Sequence, residues 1–449
     1  MHERVIERVV DLTDAEANAI LNASVAEARQ RLAAGDLEGV RRLRGTFALV
    51  ATQGNIVRLA RSLDRPLRWF LAKQNDGPCL IASDRIDAIH RWLLEHGLAD
   101  QFHPSYTRMV PAHHVTEVRL VGCPDPAPVQ RRFFTPVRQP LPPDLDLIAR
   151  TYVGAVYHAI CSWLAVRAKD GPLGVCFSGG VDSGAVFLLT YHGLLELGQS
   201  PSRLKAFTLT LEQDSPDLGQ AYRFLDALGL AHFLEPVAQP CSAIDWREAV
   251  QILEDYKPLD VEAGAMSLAL YRGIRERYPD WRYLLDGDGG DENLKDYPIR
   301  DNPELTIRSV LSNPLLYQEG WGVHSLKHSQ TYSGGFSRAC VRSYAPASLL
   351  GFEKFSPYTD PDVVEVAENI PFVELTQWDE DRLYDLKGEI LTRGVRHLTG
   401  WNMPNWPKRR FQHGAISPSS LRALFPEDPH LYRCWFHGQY ERGELAALR

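Results

Sequence analysis

The chain has 449 residues, 44% of them hydrophobic and 24% charged, and a formal net charge of −8. That is apolar material for two or three packed domains, which argues against disorder. Lysines and arginines are scattered, which disfavours an extended nucleic-acid footprint; the clusters Arg41, Arg42, Arg44 and Lys408, Arg409, Arg410 read as solvated faces.

The first residues, MHERVIERVVDL, carry charges where a secretory signal needs an apolar core, and no stretch approaches the roughly 18 apolar residues of a membrane span. The seven cysteines show no CxxC spacing, so neither a disulfide framework nor a zinc site is suggested, and a reducing cytoplasm fits. Between residues 45 and 83, the β-like runs GTFALVAT, IVRLARS, RWFLAK and CLIAS are separated by turn-rich segments, the spacing of an antiparallel sheet. A helix is expected from about Ile86 to His96, then a strand pair in MVPAHHVTEVRL. The proline-rich stretch 136–146 reads as a linker between a domain over 1–135 and a second over 147–449.

Beyond the linker, strands and helices alternate: LGVCFS, a helix, LKAFTLTL, a helix near 217–228, HFLEPV, helices near 243–275, then RYLLDG. Such alternation predicts a parallel sheet with crossover helices, whose ligands sit at the carboxyl ends of the strands. The region from about 300 to 449 reads as mostly helical. The expected fold class is α/β, a short antiparallel α+β domain followed by a parallel-sheet domain with a helical C-terminal part.

Two glycine-rich turns stand out in the second domain. In GVCFSGGVDSGAVF, 174–187, Gly179 and Gly180 let backbone N–H groups approach a ligand, Ser178 and Ser183 add hydroxyls, and the helix start adds partial positive charge. This is an anion site, or else a tight packing turn with Ser183 as helix cap. It is neither the Walker pattern nor GxGxxG. The second turn, in YLLDGDGGDENLKDY, 283–297, gathers Asp286, Asp288, Asp291 and Glu292, which repel one another unless solvated or offset by a cation.

SGGVDS resembles the pyrophosphate loop of enzymes that split ATP between its α and β phosphates. Followed by Ser215-Pro216-Asp217-Leu218 and by LLDGDGGDE, it is similar to the synthetase domain of the asparagine synthetase and β-lactam synthetase family, which has SGG-hydrophobe-DS, S-P-D-L and L-L-x-G-E-G-x-D-E in that order. GFEKFSPYTD, 351–360, looks like the family's E-S-R-x-P-F-x-D, and the likeness extends over about 150–410. The resemblance implies ATP and Mg2+ as cofactors, with Asp182 and Asp291 as magnesium ligands. It implies Ser178, Gly179, Gly180, Asp182, Ser183 and Gly287 as the ATP and pyrophosphate cradle, and Glu353 as the acid/base carboxylate beside an acyl-adenylate. Asp288 takes a position that is Glu in asparagine synthetases and Tyr in β-lactam synthetases, and paired with Glu353 it is the implied catalytic base for the incoming ammonium. The family lysine of K-x-L-L-R is Leu383 here; Lys387, four residues on and hence on the same helix face, is the substitute. Lys408 in NWPKRRF resembles a further family lysine.

The first domain resembles the family's glutaminase domain, GTFALV being like GxFAF, ARSLDRPLRWF like ARDRxGxxPLYY and IASDRIDAI like FASExKAL. That domain uses a Cys directly after the initiator Met as nucleophile. Position 2 here is His, the nearest Cys is Cys79, the N-G-E-I-Y-N segment is missing, and Arg44 replaces an Asp that grips the substrate amine. The implied role is a retained scaffold without glutamine hydrolysis.

Together these likenesses imply an ATP-dependent amide former that adenylates a small-molecule or peptide carboxylate and passes it to ammonia or another amine, with a homodimer compatible. A lactam or peptide macrolactam cyclase and a non-catalytic nucleotide-binding regulator are the alternatives. A tRNA-modifying pyrophosphatase is disfavoured by the acidic balance and the lack of a thiol motif.

Overall fold

A computed structural model describes residues 4–5, 8–74, 77–123, 127–211, 215–297, 299–300, 305–315, 338–406, 414–416 and 418–441. The first domain comprises β1 (Arg8–Asp11), α1 (Val25–Ala33), β2 (Ala48–Gln53), β3 (Ile56–Arg61), β4 (Arg68–Gln74), β5 (Gly77–Ser83), α2 (Ile86–Glu95), β6 (Arg108–Met109), β7 (His114–Arg119) and β8 (Val129–Arg132). These strands make two four-stranded sheets, ordered β8-β7-β3-β2 and β1-β5-β4-β6. All neighbours are antiparallel except the β1/β5 pair.

Side-chain alternation along the strands explains the layers. Ala48, Val50, Val57 and Leu59 of one sheet meet Trp69, Leu80 and Ala82 of the other. The intervening Leu49, Ala60 and Val115 turn outward onto Ala28 and Leu32 of α1, and Phe70, Ala72 and Ile81 onto Ile89, Trp92 and Leu93 of α2. The result is a helix–sheet–sheet–helix sandwich. The four runs expected between 45 and 83 are all strands, but they divide between two sheets, and the pair in MVPAHHVTEVRL is split likewise. The crossing between sheets is held by two fully buried arginines. Arg61 donates to Val110 O at 2.6 Å, and Arg65 donates to Asn18 Oδ1 at 2.8 Å and Asp84 Oδ2 at 2.9 Å.

The connecting segment is tied to the second domain by Gln139 N–H on Asn369 Oδ1 (2.7 Å) and Leu141 N–H on Asn369 O (2.9 Å). It ends where Asp144 caps the next helix, two residues before the expected limit.

The second domain continues with α3 (Leu145–Val166), β9 (Leu173–Cys176), α4 (Val181–Glu196), β10 (Leu204–Thr210), α5 (Pro216–Asp226), β11 (Leu234–Ala238), α6 (Trp246–Leu253), α7 (Pro258–Arg277) and β12 (Tyr283–Leu285). Then come α8 (Gly290–Leu294), α9 (Arg338–Leu349), β13 (Glu353–Phe355), α10 (Pro361–Glu368), α11 (Glu380–Thr399) and α12 (Pro429–Glu441). The five strands are parallel, in the order β11-β10-β9-β12-β13.

Val175, Ala206 and Leu285 face the core shared with α3, α4 and α11, whereas Phe207, Val237 and Leu284 face α6, α7 and α12. Helices α3 and α11 cross closely enough that a Cβ at Gly394 would lie 2.5 Å from Ala149 O. Strand β13 departs from the mostly helical reading of the last third, since three residues are too few to display a period of two.

The domains meet at a charged seam. Glu254, left-handed at φ 53°, ends α6, and its carboxylate accepts the first N–H groups of α2, from Ile86 (2.8 Å) and Asp87 (2.9 Å). Arg85 reciprocates on Ile252 O at 2.8 Å and Gln251 O at 3.2 Å. Among the described residues, no helix is long and apolar enough to cross a membrane.

Candidate active site

The order of the parallel sheet reverses at β9, whose successor β10 lies on one side and β12 on the other. Ligand crevices in such sheets open at this point. Register aligns Leu173 with Tyr283 and Val175 with Leu285, so the SGGVDS and GDGGD loops leave the sheet side by side. Contact between them requires glycine. A Cβ at Gly287 would lie 2.9 Å from Ser183 N, and one at Gly290 would lie 2.3 Å from Asp182 Oδ1. Gly179 has φ +72°, and a Cβ there would meet Ala221 N at 2.7 Å.

Helix α4 begins with Gly180 as its N-cap and no side-chain cap. Ser183 is therefore inside the first turn, where its Oγ accepts from Ser178 N–H at 3.3 Å and lies 3.3 Å from Ser178 Oγ. Ser183 is therefore not the helix cap. The helix start brings its N–H groups and the two hydroxyls together, an arrangement that suits phosphate oxygens.

Lys387 joins this loop to the acidic turn. From α11 its ammonium lies 2.5 Å from Asp182 Oδ2 and 3.2 Å from Asp296 Oδ2, and it donates to Asp291. Leu383, one turn earlier, is wholly buried in the apolar core instead. Burial works against the Lys387 charge, but Asp182, Asp291 and Asp296 together outweigh it and hold the amine well above its usual range.

The ammonium of Lys387 thus gathers carboxylates from both loops, and Asp182 packs so closely on the second loop that a Cβ at Gly290 would collide with its Oδ1. Asp182 and Asp291 offer, from two loops, hard oxygen donors of the kind magnesium takes. No group of three or more such ligands is preassembled among the described residues.

Asp288 projects from the same turn toward β13 and α9. Ser343 donates to its Oδ2 at 2.6 Å, and Lys354 Nζ lies 3.8 Å away. Burial and the adjacent Asp286 push the Asp288 carboxyl up to about 6, against the pull of Lys354 and Arg342. A carboxylate so poised accepts a proton near neutral pH.

Glu353 is not part of this assembly, and its expected place beside the reacting centre is revised. It starts β13 in register with Tyr283, at the amino end of the sheet, and forms a bidentate pair with Arg167 at 2.7 and 2.9 Å plus a contact to Arg282 at 3.3 Å. Alternation along the strand sends the next residue, Lys354, to the acidic turn instead. Lys354 and Ser343 are the site residues that sequence reasoning missed. The usable signal for Lys354 was a cation one step from Glu353, on the other face of any strand through GFEKFSPYTD.

Ser215 caps α5 as its Ser-Pro start suggests, and its hydroxyl also donates to Gly414 O at 3.0 Å. Lys408 lies outside the described residues. Arg44 of the first domain is bound to Asp362 of the second, with Nε on Oδ2 at 3.2 Å and Nη2 on Oδ1 at 2.8 Å.

Residues 165–344 match the family model described as asparagine synthase, and this stretch spans both glycine-rich loops, Asp288 and Ser343. Lys354 and Lys387 lie beyond it. No curated protein matches the chain.

Proposed function

We propose that this chain, built around an asparagine synthase domain, forms amides in two steps at the switch point of its parallel sheet. A substrate carboxylate oxygen attacks the α-phosphorus of ATP and expels pyrophosphate, giving an acyl-adenylate. The nitrogen of an amine then attacks the acyl carbon, AMP departs with the electrons of the broken C–O bond, and the amine loses a proton. The observation that carries this reading is the meeting of three elements at one place: the uncapped SGGVDS helix start, the GDGGD carboxylates, and the ammonium of Lys387.

In this scheme the N–H groups after Gly179 and the hydroxyls of Ser178 and Ser183 hold the β and γ phosphates, and Gly287 lets the second loop close over them. Lys387 takes up charge as pyrophosphate leaves, replacing the cation that Leu383 cannot supply. Asp182 and Asp291 would hold magnesium, which would supply positive charge for the phosphate oxygens. Asp288 takes the proton of the attacking amine, the work first expected of Glu353.

The amine is ammonia or an amine substrate rather than nitrogen from glutamine. Support comes from the Arg44–Asp362 pair, which uses a side chain of the former glutamine-binding region to fasten the two domains. The first domain is accordingly a scaffold. The test is a panel of carboxylates and amines incubated with ATP and magnesium: one AMP and one pyrophosphate per amide are expected, and ADP with phosphate would exclude the scheme.

A further inference from the structure

We infer that Lys354 and Ser343 are positioning residues for Asp288, anchoring one of its carboxylate oxygens so that the other is presented to the amine. The inference rests on the proposed amide-forming reaction only for the identity of the proton donor.

An ammonium has three N–H donors and no acceptor, and a hydroxyl has one O–H to give. Lys354 Nζ donates to Asp286 Oδ2 at 2.6 Å, Ser356 Oγ at 2.6 Å and Ser343 Oγ at 2.8 Å. Both serine oxygens therefore accept from Lys354, and both hydroxyl protons are directed elsewhere: Ser356 to Asp286 Oδ1 at 2.5 Å, and Ser343 to Asp288 Oδ2 at 2.6 Å.

The two aspartates consequently differ. Asp286 has both oxygens engaged, and its side chain is 7% exposed. Asp288 is held at Oδ2, makes no hydrogen bond through Oδ1 among the described residues, and is 29% exposed. Lys354, whose ammonium lies 3.8 Å from Asp288 Oδ2, reaches that carboxylate through Ser343, to whose Oγ it donates at 2.8 Å.

In the reaction an ammonium substrate gives a proton to Asp288 Oδ1, the freed nitrogen pair forms the C–N bond, and AMP leaves with the C–O pair. Asp288 then returns its proton to solvent. The charged and titratable groups facing Asp288 are Asp286 from its own turn, Lys354 from β13, Arg342 from α9, Tyr271 from α7, Cys176 from β9 and Glu292 from α8. Lys354, Arg342 and the Ser343 bond favour the ionised carboxylate, whereas burial and Asp286 disfavour it. Removing either positioning residue must raise the pH at which Asp288 becomes a base.

The test follows the Asp288 carboxyl by 13C NMR titration, assigned with Asp288→Asn, in the full chain and in Ser343→Ala, Ser343→Thr and Lys354→Met. Ser343→Ala and Lys354→Met should raise the titration midpoint by about 1 pH unit, and Ser343→Thr, which retains the hydroxyl, should restore it. The acid limb of amide formation should move by the same amount, costing about tenfold in rate below the midpoint, while the pH profile of pyrophosphate exchange into ATP stays in place. An unmoved midpoint in Ser343→Ala, even with a lowered melting temperature, would overturn the inference. If Lys354→Met fails to fold, the serine pair still decides it. A moved midpoint in a protein without adenylation activity would support the positioning and remove the proposed function instead.

Discussion

Replacing Lys387 with Met keeps the length of the side chain and removes its charge, leaving Asp182, Asp291 and Asp296 to face one another. The Lys387 side chain is 4% exposed and Asp296 11%, but Asp182 and Asp291 are 21% and 36% exposed. Breaking a buried ion pair costs about 3–5 kcal/mol, and solvent reaching two of the three carboxylates brings this down to about 2–3 kcal/mol. At about 2–4 °C per kcal/mol for a domain of this size, the melting temperature should fall by roughly 4–12 °C. Magnesium at millimolar concentration should recover more of that loss in the variant than it adds to the parent, because three carboxylates that have lost their shared ammonium attract a cation more strongly. Pyrophosphate exchange should drop by about 10²- to 10³-fold, the scale of losing one preorganised charge-stabilising group. Thermal unfolding with and without magnesium, beside the exchange assay, reads all three effects. An unchanged melting temperature, or equal magnesium stabilisation of both proteins, would refute the shared carboxylate site.

No ammonia should be released from glutamine, with or without ATP; a glutaminase rate above the blank that persists through purification would end the scaffold reading. Glu353→Gln should weaken the Arg167 pair, lower stability by about 1–2 kcal/mol and change both half-reactions together; slowed amide formation at normal exchange and stability would return Glu353 to the chemistry. Burial pushes the Glu254 carboxyl up to about 7 despite Arg85 and Arg68, so the folded protein holds that proton more tightly than the unfolded chain. Stability should therefore fall as pH rises from about 4.5 through 7, and urea unfolding at pH 5 and 8 should show a smaller difference in Glu254→Gln than in the parent.

Periodicity and turn chemistry revealed most of the strands, because those of the first domain are β-like runs set off by turn-rich segments, and β9 and β12 are apolar runs before glycine-rich turns. They did not reveal which sheet a strand joins. That depends on Arg61 and Arg65, whose charges read as surface in a sequence but lie fully buried on backbone carbonyls and polar side chains. At the site, the glycines and Asp182, Asp288 and Asp291 were legible because their spacing is local. Lys387 was legible as a position one helical turn from Leu383, but its three carboxylate partners come from two other segments. Glu353 and Lys354 were exchanged for a simple reason: the motif marks a residue, whereas the pleat of a three-residue strand decides which neighbour faces the acidic turn.

The central claim is that the substrate carboxylate is activated as an adenylate. Label from an 18O-carboxylate substrate followed into the products by mass spectrometry tests it most directly. The account predicts one 18O atom in AMP for each amide formed and none in pyrophosphate. Label in inorganic phosphate with ADP as co-product, or AMP formed without label, would contradict it.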